Sequence, residues 1–166
     1  MSPVATSVSR VNASTASSSF PSSFSSFSSF SSFLASPAAL PAAPSAVSTQ
    51  WLCDHLGSDT MVVLDASATR QNFDRLHIAT ALYADLAGDF SDPSGAEPYA
   101  RPSATRFGTA LDGLGITTET TVVVYDTASG QEAMRLWWLF RSFGFERVSV
   151  LTGGFAKWAA EERPIG

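Results

Sequence analysis

The most regular apolar segment is Thr121-Val122-Val123-Val124-Tyr125, which carries apolar side chains on both of its faces. That pattern predicts a strand in the middle of a parallel sheet, buried from both sides. Met61-Val62-Val63-Leu64-Asp65 and Val148-Ser149-Val150-Leu151 have the same short, Val-rich character. Leu82 to Leu86 reads as a weaker strand. Between them the apolar spacing changes to that of helices. Ser48 is placed to cap a helix bearing Trp51, Leu52 and Leu56 and ending at Gly57. Ser103 is placed to cap a second, over 103–114, with Phe107 and Leu111 inward and Gly115 beyond its end. Gln131 to Phe143 is the strongest helix, with a stripe read through Met134, Trp137, Trp138 and Phe140 and a stop at Gly144. A last helix runs from Phe155 to Glu162, before Pro164. Ser91 to Pro102, with four prolines and glycines, is a loop. Strands alternating with helices predict an α/β domain with a central parallel sheet covered by helices on both faces.

The first 45 residues break this pattern. Residues 17–33 read SSSFPSSFSSFSSFSSF, a Ser-Ser-Phe repeat whose period matches neither helix nor strand. An Ala/Pro/Ser linker follows, so residues 1–45 are expected to be a disordered arm and residues 46–166 the folded domain. The arm is rich in serine and free of acids, as transit peptides are, but Arg10 is its one charge. The sequon Asn12-Ala13-Ser14 matters only in a secreted protein.

Composition narrows the function. The net charge is −5 and Lys157 is the sole lysine, with no basic patch, which argues against a nucleic-acid partner. No apolar run approaches the roughly 18 residues of a membrane span. Cys53 is the one cysteine, so neither an internal disulfide nor a cysteine-rich metal site can form. His55 and His77 have no metal-ligand spacing to it, and neither metal nor cofactor is expected. The compartment expected is cytoplasmic or mitochondrial.

Several ordered motifs resemble one family. They are Asp65-Ala66-Ser67, Phe73-x-x-x-His77-Ile78, Val122-Val123-Val124-Tyr125-Asp126, Arg135-x-Trp137-Trp138-x-Phe140-Arg141-x-Phe143-Gly144 and Leu151-x-Gly153-Gly154-Phe155-x-x-Trp158. Together they resemble the rhodanese superfamily, and more narrowly the amino-terminal domain of two-domain thiosulfate and 3-mercaptopyruvate sulfurtransferases. One departure is Ala79-Thr80-Ala81, which stands where the family usually has Pro-Gly-Ala.

The resemblance implies a three-layer rhodanese-like fold and a chemistry. A cysteine thiolate at the end of the central strand takes sulfane sulfur from a donor such as thiosulfate or 3-mercaptopyruvate and holds it as a persulfide. Backbone N–H groups and a helix N-terminus favour that thiolate. Here the slot holds Asp126, which cannot carry sulfane sulfur. The loop Asp126, Thr127, Ala128, Ser129, Gly130, Gln131 is therefore read as a degenerate active-site loop without a catalytic residue. It contains no arginine; the nearest cation, Arg135, lies on the helix. A cysteine phosphatase is excluded for the same two reasons. Asp65, His77 and Arg135 are kept as interface or accessory candidates. Asp65 and Asp126 share a sheet edge, where they either bind a cation or cap adjacent turns. Cys53, beside Asp54 on a helix, is read as structural. The resemblance implies that a carboxy-terminal rhodanese domain, absent from this chain, supplies the cysteine and meets the sulfur donor. The alternative is a non-catalytic rhodanese-like module that binds a partner or an anion.

Overall fold

The computed structural model describes residues 43–166. Five strands form one sheet: β1 (Ala46–Val47), β2 (Met61–Asp65), β3 (Leu82–Tyr83), β4 (Thr121–Tyr125) and β5 (Val148–Leu151). The order across the sheet is β1-β5-β4-β2-β3 and every pairing is parallel. Five helices connect them: α1 (Thr49–His55), α2 (Arg70–Arg75), α3 (Ala104–Gly113), α4 (Gln131–Ser142) and α5 (Gly154–Ala160).

The central strand explains the layering. Side chains alternate along a strand, so Val122 and Val124 enter one core with Phe107 and Leu111 of α3 and Leu136, Leu139 and Phe140 of α4. Val123 and Tyr125 enter the other, with Leu52 of α1 and Trp158 of α5. All four strand residues are fully buried. The result is the α/β architecture expected, a parallel sheet with helices on both faces.

The caps follow local chemistry. Ser48 Oγ accepts from the Trp51 N–H at 3.0 Å, and Ser103 Oγ from the Arg106 N–H at 3.2 Å. Gly144, with φ 81°, ends α4 in a conformation that disfavours side chains.

Four details differ from the sequence reading. The strand expected over 82–86 stops at Tyr83, because Asp85 turns the chain by accepting from the Gly88 N–H at 2.8 Å. Helix α2 and the two-residue β1 carry too few apolar residues for periodicity to reveal them. The inward stripe of α4 is Ala133, Leu136, Leu139 and Phe140, while Met134 and Trp138 point outward, 52% and 44% exposed. Residues 43–45, counted with the arm on composition, run beside β5: the Val150 N–H donates to Ser45 O at 2.9 Å and Ser149 Oγ to Pro44 O at 2.6 Å. The reading of the arm over 1–42 lies outside the described residues.

Candidate functional site

Strands β2 and β4 are paired in register, Asp65 opposite Tyr125. Their C-terminal ends therefore place Asp65 and Asp126 at one edge of the sheet, the edge where such sheets bind ligands. A tight turn leads from β4 into α4. Asp126 is 2% exposed, and its carboxylate is filled by the turn itself. Oδ1 accepts the N–H groups of Ala128 at 2.9 Å and Gly130 at 3.0 Å; Oδ2 accepts that of Ala133 at 3.0 Å.

This arrangement has a clear cause. Helix α4 begins after Gly130, which has φ 87° and no side chain to cap with. Its first N–H groups need an acceptor. Asp126 reaches forward to supply one, and its negative charge suits the positive end of the helix. Three N–H groups at this helix start, those of Ala128, Gly130 and Ala133, are thereby taken by the protein's own carboxylate.

The rest of the loop is held at its entrance. Thr127 donates its N–H to Ser67 Oγ at 3.1 Å, and the two hydroxyls lie 2.9 Å apart. The Ser67 N–H in turn donates to Asp65 Oδ1 at 2.8 Å. Ala128, Ser129 and Gln131 are exposed. The carbonyl of Asp126 accepts the Phe155 N–H at 3.2 Å, joining the loop to the start of α5. At Gly154, φ is +56° and a Cβ would stand 3.2 Å from that carbonyl, so the glycine suits both the conformation and the approach.

Asp65 is fully buried and caps its own turn; its Oδ2 makes no hydrogen bond. Beside it, Tyr125 is buried, with its hydroxyl accepting the Ile78 N–H at 3.0 Å. Burial, and next the charge of Asp65, hold the Tyr125 phenol far above its ordinary pKa, so it stays protonated. Both Asp126 oxygens and Asp65 Oδ1 already accept N–H donors, leaving the pair poorly suited to share a cation. Among the described residues no group of three or more His, Cys, Asp or Glu is placed to hold a metal ion.

The remaining candidates lie apart from the loop turn. His77 stacks on Phe73, ring centroids 4.1 Å apart, and its Nδ1 is 2.9 Å from Phe73 O. Its backbone pairs with Gly166, whose N–H donates to His77 O at 2.9 Å. Arg135 donates to Tyr99 O and lies over the Trp138 ring, 4.7 Å from its centroid. Cys53 is a half-buried free thiol on α1. Thr80, where the family resemblance leads one to expect glycine, has φ 68°. The chain keeps the turn that glycine makes easily, with a β-branched residue in it.

Sequence reasoning singles out the loop but not its supports. It misses Ser67 and the Ala133 N–H as parts of the site. The Asp65-x-Ser67 spacing is an Asx-turn signal that points to Ser67. No sequence signal reveals the Ala133 N–H, since every non-proline residue has one.

The rhodanese-like domain family matches residues 48–161. The chain is 35% identical over 133 residues to a 3-mercaptopyruvate sulfurtransferase of Rattus norvegicus, covering 72% of this chain and 44% of that protein. It is 36% identical over 132 residues to a thiosulfate sulfurtransferase of Rattus norvegicus, with the same coverage, 72% and 44%. A thiosulfate/3-mercaptopyruvate sulfurtransferase of Arabidopsis thaliana, described as mitochondrial, is 38% identical over 122 residues, covering 69% of this chain and 32% of that protein. Among solved structures, a 3-mercaptopyruvate sulfotransferase of Escherichia coli, described as having the rhodanese fold, superposes with a TM-score of 0.68 at 28% identity, covering 74% of this chain and 50% of that one. The chain thus spans less than half the length of the rat and Arabidopsis relatives. Among the described residues no helix is long and apolar enough to cross a membrane. With a parallel sheet helix-covered on both faces and a family match across most of the described residues, this chain belongs to the rhodanese-like domain family.

Proposed function

We propose that this chain is the non-nucleophilic, amino-terminal rhodanese domain of a thiosulfate/3-mercaptopyruvate sulfurtransferase, supporting sulfane-sulfur transfer by a cysteine-bearing second domain. One observation carries the reading: the Asp126 carboxylate occupies the N–H donors of Ala128, Gly130 and Ala133. A persulfide needs a sulfur at that position, and a carboxylate offers only oxygen. The loop therefore does not hold sulfur, and three of the N–H donors around it already serve its own carboxylate. It serves instead as a rigid cap on α4. Relatives of which this chain covers 44%, named for both sulfur donors, support a companion domain as the intramolecular partner. The Arabidopsis relative described as mitochondrial favours that compartment over the cytoplasm.

The test has two arms. The purified chain, given thiosulfate and cyanide, is expected to form no thiocyanate above background, and Cys53→Ala is expected to change nothing. Turnover that disappears in Cys53→Ala would overturn the assignment. In the second arm the coding sequence downstream of Gly166 is read. A rhodanese domain with a cysteine at the end of its central strand supports the role. Its absence sinks that role and leaves the non-catalytic binding module.

A further inference from the structure

Beside the start of α4 lies an open groove of about 480 Å³, lined by Leu86, Glu97, Pro98, Tyr99, Glu132 and Arg135. Its charges are uneven. Glu132 has one carboxylate oxygen, Oε2, shut off from solvent without a hydrogen-bond partner. Arg135 lies one turn further along α4, the usual place for a helical ion-pair partner. Its guanidinium is instead engaged with Tyr99 O and with the Trp138 ring. Glu97, also in the lining, is exposed. Tyr99, in the lining, and Trp138, whose ring Arg135 overlies, are 40% and 44% exposed. A large apolar side chain left in water next to an uncompensated carboxylate is unfavourable on both counts, unless a partner covers it.

We infer that this groove docks a basic side chain, arginine or lysine, projecting from the companion domain, with Tyr99 and Trp138 covered around it. The inference rests on the proposed role as a supporting domain and adds the place and chemistry of contact. Charge complementarity selects the occupant. The two carboxylates favour a cation, and the aromatic surround favours a planar guanidinium. Aromatic and arginine side chains flanking a charged centre also match the composition of strongly contributing contacts in protein interfaces.

The experiment uses the isolated chain and two small probes, N-acetyl-arginine amide and its neutral isostere N-acetyl-citrulline amide, followed by two-dimensional NMR. The arginine probe is expected to shift the Trp138 indole N–H and the backbone signals of Glu132 and Tyr99 saturably, and the citrulline probe to leave them unmoved. Glu132→Gln is expected to weaken the arginine response about fivefold, the size of one partly exposed charge pair. Glu97→Gln, on a loop outside α4, gives a second reading if Glu132→Gln disturbs the helix. No saturable shift, equal shifts from both probes, or an undiminished response in both variants would overturn the docking site. The outcome is separate from the functional reading: thiocyanate formation by the chain alone defeats that reading whatever the probes show, and failure of the probes leaves the sulfurtransferase assay untouched.

Discussion

Replacing Asp126 with alanine removes the acceptor of three backbone N–H groups at once. Their environments differ, and so do the losses. Ala133 is 1% exposed, so water cannot take over its N–H, and an unsatisfied buried donor costs about 1–3 kcal/mol. Ala128 and Gly130 sit on a turn where water reaches, and each loses about 0.5–1 kcal/mol. The start of α4 also loses its neighbouring negative charge, about 0.3–1 kcal/mol. The expected total is about 2–6 kcal/mol, a large part of the roughly 5–15 kcal/mol that holds a domain folded. Urea unfolding followed by far-UV circular dichroism measures it, with Asp126→Asn as the companion variant. Asparagine keeps one acceptor oxygen but sets an amide NH₂ against the other donors, so its loss is expected to be substantial though smaller. If Asp126→Ala costs less than about 1 kcal/mol, or Asp126→Asn is as stable as the parent, the carboxylate is not the organising group of this loop.

Two further expectations rest on strain and charge. Thr80→Gly relieves a β-branched residue at φ 68° and is expected to stabilise the domain by about 0.5–2 kcal/mol, less what glycine's unfolded-state freedom takes back; an unchanged or lowered urea midpoint refutes it. Glu161 accepts from Thr49 Oγ1 at 2.6 Å and Arg163 Nε at 2.5 Å, and these bonds, Thr49's first, lower its pKa from 4.5. Its folded pKa lies below the unfolded one, so its contribution is complete above the ordinary glutamate range and is lost as pH falls through the lowered folded value. Melting temperatures measured across that acidic window should decline less steeply in Glu161→Gln than in the parent. Parallel profiles would show that the Thr49–Glu161–Arg163 contact carries no linkage.

The chemistry was more legible than its supports. Order along the chain shows a doubly apolar strand, then an acid, then a helix; that the acid stands in a sulfur nucleophile's slot is what the family resemblance implies. The layering was legible too, because Thr121 to Tyr125 is apolar on both faces and only a sheet covered twice can bury it. Helix rotation was less so. Met134 and Trp138 are as hydrophobic as the residues that α4 buries, and composition does not say which face meets the sheet; the angle at which Ala133, Leu136 and Phe140 fit the strands does. Strand β3 ends where Asp85 bends the backbone, a contact between a side chain and an amide that no periodicity records.

By itself the sequence determined the fold class and the central strand, since each depends on local pattern and near neighbours. Tertiary structure alone decided what Asp126 does there. Its oxygens meet N–H groups up to seven residues ahead, while Ser67, in the turn just beyond β2, closes on Thr127 sixty residues further along the chain. Such convergence depends on the register of β2 against β4, which brings Asp65 and the Asp126 turn to one edge of the sheet.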